Sequence, residues 1–160
     1  MDAKDLKILA LLQEDATITV AEISSKVHLS QTPVWRRIQM MEESGIIERR
    51  VALVNPAAVG FSLSVFVEIQ APDHSGEWLV QFVEAISEMP EIMEVHRMAG
   101  EVDYLLRVAA RNMDEYDRFY RRLIESLPAR KITSRFSMER LKATTALPLS
   151  PSKPATATTL

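Results

Sequence analysis

The sequence predicts an α+β protein with two domains that differ in the spacing of their apolar residues. In the first 45 residues, apolar side chains recur at helical spacing in three short stretches. From residue 61 onward, strand-like and helical patterns follow one another in the order β-α-β-β-α-β. We therefore predict a helical domain at 1–55, a sheet domain at 56–147 and, because its composition cannot bury a core, a flexible tail at 148–160.

Three helices are predicted in the first domain. Apolar residues indicate a helix over 3–13, and Thr19 and Glu22 have the spacing of a capping box, which starts a short second helix. Ser30 can cap a third helix, and Gly45 can end it in a left-handed conformation.

Strand-like residues follow the third helix, from Ile46 to Val54, up to the break at Asn55-Pro56. Three helices followed by a strand pair, with about four residues between the second and third helices, is the arrangement of a winged helix-turn-helix domain. Such a domain binds DNA chiefly through its third helix.

The third helix carries the candidate DNA-contacting surface. Val34, Ile38 and Met41 share one face and predict its buried side. The other face carries amide, hydroxyl and guanidinium groups, which contact base edges and phosphates. Arg36 and Arg37 are adjacent, so one can point into the groove and the other at the DNA backbone. With two arginines of the wing, the predicted DNA-contacting set is Ser30, Gln31, Thr32, Pro33, Trp35, Arg36, Arg37, Gln39, Arg49 and Arg50.

The same pattern has a simpler explanation, a solvent-exposed helix without a ligand, and Trp35 beside Val34 can equally belong to the core. Net charge gives limited help. The whole chain carries −3, which argues against a nucleic-acid partner. However, residues 56–110 hold two basic and nine acidic side chains, whereas residues 26–50 hold five basic and three acidic ones. The acidic total therefore hides a locally positive surface around the third helix.

The second domain is predicted to be ferredoxin-like. Alternating apolar and polar residues between Phe61 and Gln70 indicate a half-buried strand. The next elements are predicted as helix, strand, strand, helix and strand, at 75–88, 92–98, 102–109, 112–127 and 131–141. This order gives an antiparallel sheet with both helices on one face, and its other face must be solvated or covered by a partner.

The loop from Gly100 to Tyr104 is a second candidate site. It combines a flexible backbone with an aromatic ring and the carboxylates of Glu101 and Asp103. A zwitterionic ligand needs a carboxylate for its ammonium group and free amides for its own carboxylate. A solvated turn explains the same residues.

Several other kinds of site are not expected. The chain has no cysteine, so disulfides and thiolate sites are excluded. His28, His74 and His96 lack metal-ligand spacing, and glycine patterns for nucleotide binding or for a serine nucleophile are absent, so we expect neither a metal site nor an enzyme. No apolar run approaches the roughly 18 residues of a membrane span, and the start is acidic, so we expect a cytoplasmic protein without membrane attachment.

Taken together, the sequence resembles the Lrp/AsnC transcription regulators, also called feast/famine regulatory proteins. The resemblance covers nearly the whole chain. It rests on seven segments in a fixed order: DLKIL (5–9), LQED (12–15), LSQTPVWRRI (29–38), EESGII (42–47), LVNP (53–56), GEVDYL (100–105) and TTALPL (144–149).

The resemblance implies a winged helix-turn-helix domain joined to a ligand-sensing ferredoxin-like domain, which pairs sheet to sheet into dimers that commonly assemble as octamers. It also implies an amino-acid effector bound between dimers near the glycine-acidic loop. The implied contacts here are Met98, Gly100, Glu101, Asp103, Tyr104, Thr133 and Ser134. The usual aromatic at the third loop position is Val102 here, a departure that leaves the identity of the ligand open.

Three segments look closer to one branch of the family, the cysteine-responsive activators of L-cysteine desulfidation: HSGEW (74–78), RMAGE (97–101) and YDRFY (116–120). We therefore predict a regulator of amino-acid metabolism that binds a double-stranded DNA operator, with an amino-acid effector such as L-cysteine and no other cofactor. Two alternatives stay open. One is an architectural DNA-binding protein insensitive to amino acids, and the other is an amino-acid-binding module without DNA binding.

Overall fold

The computed structural model describes residues 1–73 and 75–149, and the chain divides into two compact units. The sheet unit spans 54–141, so the division falls close to the predicted border at 55. The helical unit comprises 1–53 together with residues 142–149, which follow the sheet unit in the chain and are here called the returning segment. Residues 142–147, which the prediction assigned to the sheet domain, cluster with the helices in this division. Of the predicted tail, 150–160 lies outside the described residues.

The helical unit has three helices: α1 (Ala3–Glu14), α2 (Val20–Val27) and α3 (Gln31–Glu43). Helices α1 and α2 each begin with a capping box, in which two side chains bond each other's backbone amides. The two boxes are Asp2 with Asp5 and Thr19 with Glu22. Helix α3 begins after Ser30, as predicted, but the Ser30 side chain makes no capping hydrogen bond.

These helices bury a small apolar core of their own, formed by Ile8, Leu9, Ile23, Val27, Val34, Ile38 and Met41. The buried residues of α3 are the three that its periodicity predicts. Leu149 of the returning segment packs against this core. Leu149, which the prediction placed in a flexible tail, is therefore packed against the protein.

The strand predicted between Ile46 and Val54 is not formed: these residues have no regular secondary structure. A strand needs a neighbour to take its backbone hydrogen bonds, and the helical unit contains no strand among its described residues. Leu53 is 73% exposed, which fits a segment without a partner.

The sheet unit contains the predicted βαββαβ order: β1 (Leu63–Gln70), α4 (Gly76–Ser87), β2 (Ile92–Arg97), β3 (Tyr104–Ala110), α5 (Met113–Ser126) and β4 (Lys131–Phe136). The strands form one antiparallel sheet in the order β2-β3-β1-β4, which confirms the ferredoxin-like prediction. Strand β4 ends at Phe136, five residues before the predicted end at 141, where its pairing with β1 also stops.

The two faces of the sheet differ in chemistry. One face is apolar and packs on α4 and α5, through residues such as Val65, Val67, Leu106, Val108, Phe82 and Phe119. The opposite face, here called the open face, carries ion pairs. Arg135 Nε lies 2.6 Å from Glu68 Oε1, and Arg107 Nη2 lies 2.5 Å from Glu94 Oε1. Phe66, between these pairs on β1, is partly exposed.

Candidate functional site

The exposed face of α3 holds most of the predicted DNA contacts. Val34 and Ile38 point into the core, and most of the predicted contacts before and between them are exposed. The exposed set is Ser30, Gln31, Thr32, Pro33, Trp35 and Arg36. Trp35 is 53% exposed, which decides against a core position for its ring. The N-terminal half of α3 therefore presents a continuous, mainly polar surface that includes the Trp35 ring and the exposed Arg36 guanidinium.

Arg37 differs from its neighbour Arg36. Its Nη1 donates to Asp5 Oδ1 at 2.5 Å and to Asp2 Oδ2 at 2.8 Å, at the start of α1. These carboxylates raise the pKa of the Arg37 guanidinium. The Arg37 guanidinium is therefore already paired inside the helical unit, and the predicted contact with DNA would require it to leave these carboxylates.

The end of α3 is joined to the segment that follows it. Glu42 accepts a hydrogen bond from Gln39 Nε2 at 3.0 Å on one oxygen and from Arg50 Nη2 at 2.7 Å on the other. Together with Trp35, these three residues border a cleft of about 310 Å³ whose remaining lining is apolar: Leu12, Ile18, Val20, Ile23 and Ile38. Arg50 thus lies beside α3 although no wing strand is formed. Arg49 is exposed.

The loop between β2 and β3 is anchored to the end of β1. Asp103 donates its amide hydrogen to the Ile69 carbonyl at 3.1 Å, and its carboxylate accepts from the Ala71 amide at 2.9 Å. Gln70 Nε2 donates to the Glu101 carbonyl at 3.1 Å. Gly100 has φ 122°, a conformation that favours glycine. Of the predicted effector contacts, Met98, Gly100 and Glu101 are exposed in this loop.

Three other predicted effector contacts, Tyr104, Thr133 and Ser134, lie outside this loop. Tyr104 is only 8% exposed, and its ring centroid lies 4.4 Å from that of Phe82 in the core. Ser134 accepts a hydrogen bond at 2.5 Å from the hydroxyl of Tyr116, whose pKa is raised by burial. Thr133 is next to Ser134 in β4 and therefore points to the open face. The structure thus divides the predicted set among the loop, the core and both faces of the sheet.

Four side chains with a role in these sites were not identified from the sequence. Asp2 and Asp5 hold Arg37, Glu42 holds Arg50, and Gln70 holds the loop. From the sequence, Asp2 and Asp5 indicated only that the start of the chain is acidic. Local sequence spacing cannot report partners that are more than thirty positions away.

Two family models match this chain and together cover most of it. The model described as "Winged helix-turn-helix DNA-binding" matches residues 1–48, and the model described as "Lrp/AsnC ligand binding domain" matches residues 64–147. Within the described residues, no helix combines the length and the apolar character needed to cross a membrane.

Curated proteins and solved structures with similar sequences are also regulators. The DNA-binding transcriptional activator DecR of Escherichia coli K12 is 45% identical over 93% of this chain and 99% of its own. The glutamate uptake regulatory protein of Zymomonas mobilis is 44% identical over 93% of this chain and 91% of its own.

Among solved structures, an AsnC family transcriptional regulator from Agrobacterium tumefaciens superposes with a TM-score of 0.89 at 53% identity, covering 93% of this chain and 97% of that one. A transcriptional regulator of Neisseria meningitidis in complex with L-Met gives a TM-score of 0.88 at 31% identity, with the same coverage. With two domain matches in order and full-length relatives, the chain belongs to the Lrp/AsnC family and is a DNA-binding transcriptional regulator with an amino-acid ligand-binding domain.

Proposed function

We propose that the exposed N-terminal half of α3 enters the major groove of a double-stranded DNA operator and reads its base edges. The observation that carries this proposal is the continuous exposed surface from Gln31 to Arg36, opposite the buried side of the helix. Amide and hydroxyl groups there can bond base edges, and Arg36 can make a bidentate contact with guanine. Arg49, exposed after α3, is suited to a phosphate contact.

The operator is proposed to be quasi-palindromic because the protein is proposed to act as a dimer, with the open faces of two sheets in contact. This face combines a partly exposed Phe66 with the ion pairs of Glu68 and Glu94. Two-fold symmetry then requires half-sites separated by about one helical turn, roughly 34 Å, or a multiple of it. Further assembly of dimers into an octamer, and location in the cytoplasm beside the operator, belong to the same proposal.

The effector is proposed to be an amino acid that binds at the exposed part of the loop between β2 and β3. The Glu101 carboxylate is available for an ammonium group, and Gly100 keeps the backbone accessible because it has no side chain. L-Cysteine is the candidate, with no further cofactor. The effector would act by binding one assembly state more tightly than another. The amino acids in the names of relatives differ, namely glutamate in one and L-Met in another, so the name of a relative does not select the ligand.

The DNA proposal is tested by selecting duplexes from a random pool with the wild-type protein and then measuring the affinity of variants for the selected site. We expect Arg36→Ala to weaken binding about ten-fold or more, because a bidentate base contact is lost. Lys7→Ala, which removes an exposed charge from α1, is the matched control and should bind normally. If about six phosphates are neutralised per dimer, the logarithm of affinity should fall with the logarithm of salt with a slope of about −5.

Equal affinity of wild type and Arg36→Ala would contradict the assignment of α3 as the reading helix. If DNA is condensed regardless of amino acids, the architectural alternative replaces the regulator. If the wild-type protein selects no duplex and amino acids still bind, the module without DNA binding is favoured.

The effector is identified by thermal unfolding in the presence of each of the twenty amino acids. A ligand that binds only the folded protein raises its stability, by about 2.7 kcal/mol at a concentration one hundred times Kd. A rise specific to cysteine supports the proposal. A rise with leucine or methionine alone overturns cysteine as the effector.

A further inference from the structure

We propose that Arg37 is a positioning residue: it binds Asp5 and Asp2 in order to fix the orientation of α3 for operator binding, and it does not contact DNA. This inference rests on the proposed role of α3. It assigns to the first turn of α1 a part in operator recognition that neither the family match nor the exposed surface of α3 indicates.

The contact lies between the middle of α3 and the first turn of α1. One guanidinium nitrogen of Arg37 bridges two carboxylates, with Asp5 at 2.5 Å and Asp2 at 2.8 Å. Asp5 is 8% exposed, so its carboxylate is largely removed from water and depends on a partner inside the protein. The Arg37 side chain is itself only 28% exposed. If Arg37 left this site to bind a phosphate, the nearly buried Asp5 carboxylate would lose the guanidinium that neutralises it.

The same turn of α1 also holds the other helix of the motif. Lys4, the neighbour of Asp5, donates from Nζ to the Val27 carbonyl at the end of α2, at 2.5 Å. Adjacent residues of α1 therefore hold α2 and α3 by polar contacts, while the apolar core fixes their separation. Apolar packing is non-directional, whereas charge-assisted hydrogen bonds fix orientation, so these contacts are suited to setting the angle at which α3 is presented.

Replacing Asp5 or Asp2 by asparagine distinguishes a positioning role from general electrostatics, because the two predict opposite changes in operator affinity. Removing an acid near bound DNA lessens repulsion and strengthens binding. If Arg37 positions α3 through these acids, Asp5→Asn and Asp2→Asn weaken operator binding instead, although each removes a negative charge. Asparagine still accepts hydrogen bonds from backbone amides, so the cap of α1 is retained. Glu14→Gln, at the exposed far end of α1, is the matched control.

The experiment measures the affinity of each variant for the selected operator and for a scrambled duplex of the same composition, across a range of salt concentrations. We expect Asp5→Asn to weaken operator binding about ten-fold, with the scrambled duplex and the salt slope unchanged. Arg37→Gln should also weaken operator binding, and the double variant Asp5→Asn with Arg37→Gln should lose no more than Arg37→Gln alone, because Arg37→Gln already breaks the pair that Asp5→Asn breaks. Glu14→Gln should bind the operator at least as tightly as wild type.

Binding is compared at a temperature at which thermal unfolding shows every variant to be folded. If Asp5→Asn fails to fold, Asp2→Asn carries the test, since Asp2 is more exposed. Operator binding by the aspartate variants that equals or exceeds that of wild type overturns the inference. So does an Arg37→Gln variant that weakens both duplexes equally and lowers the salt slope by about one per contact, the signature of a phosphate contact.

A failure of the proposed function can be distinguished from a failure of this inference. If Arg36→Ala binds the operator as wild type does, α3 is not the reading helix. If Arg36→Ala loses the operator while Asp5→Asn retains it, only the positioning role is excluded.

Discussion

The side-chain amide of Gln13 bonds both backbone groups of Leu147, a residue 134 positions later in the chain. Its Nε2 donates to the Leu147 carbonyl at 3.2 Å, and its Oε1 accepts from the Leu147 amide at 2.8 Å. An amide side chain in this arrangement replaces the neighbouring strand that Leu147 lacks. The contact retains the returning segment 142–149 on the helical unit, where Leu149 reaches the core.

We predict that Gln13→Ala frees this segment. Two hydrogen bonds are lost at an exposed site, so the free energy of unfolding should fall by about 1–2 kcal/mol. Trypsin should also cut after Lys142 faster than in wild type, as seen by mass spectrometry of timed digests. Gln81→Ala, at an exposed position of α4, is the control. Unchanged cleavage after Lys142 would mean that Leu149 alone retains the segment.

The bond between Tyr116 and Ser134 predicts a structural role for both hydroxyls. Tyr116→Phe and Ser134→Ala should each lower the free energy of unfolding by about 1 kcal/mol in urea titrations, since each leaves a partly buried hydroxyl without its partner. Tyr120→Phe should have little effect. Because Ser134 is engaged on the helix side of the sheet, we expect Ser134→Ala to leave effector affinity unchanged, measured by calorimetry with the identified amino acid. A large loss would return Ser134 to the effector site.

Gly100→Ala should strain the loop without any steric clash. A Cβ at position 100 meets nothing within 4 Å, so the cost comes from the backbone, whose φ of 122° is unfavourable for alanine. We expect a loss of about 1–2 kcal/mol or a local rearrangement, together with weaker effector binding. Gly76→Ala, in the first turn of α4, lacks such a φ and serves as control. Equal melting temperatures and effector affinities of Gly100→Ala and wild type would contradict this prediction.

The capping box of α2 predicts a pH dependence of stability. The Thr19 hydroxyl, and then its amide, bond the Glu22 carboxylate and lower its pKa below the usual value. Because the pKa is lower in the folded state, this contribution is complete above the ordinary glutamate pKa, near 4.3, and is lost as the pH falls through the folded-state value. Thr19→Ala should therefore melt below wild type at pH 7, and the gap should narrow in the acid range below about pH 4. Melting curves between pH 7 and pH 3 measure it, and a gap that widens in acid contradicts the assignment.

Much of the fold follows from local sequence. The period of apolar residues in α3 gives its buried side, Val34, Ile38 and Met41, because helix geometry alone places these positions on one face. Alternation in β1 gives Val65, Val67 and Ile69 as its buried side for the same reason. The order βαββαβ then leaves few ways to pair the strands. The exposed face of α3 could be predicted as well, since it is what remains once the buried face is known.

The tertiary structure decided which polar groups are already occupied. Arg36 and Arg37 are equivalent by composition, yet only Arg37 reaches Asp5, because adjacent helix positions differ in direction by about 100° and one of them faces α1. Tyr104 follows a polar loop in sequence, but its place in β3 turns the ring into the core. Local sequence determines the direction in which a side chain leaves its own element. Whether that side chain is free to bind a ligand depends on distant residues, which come together only when the chain folds.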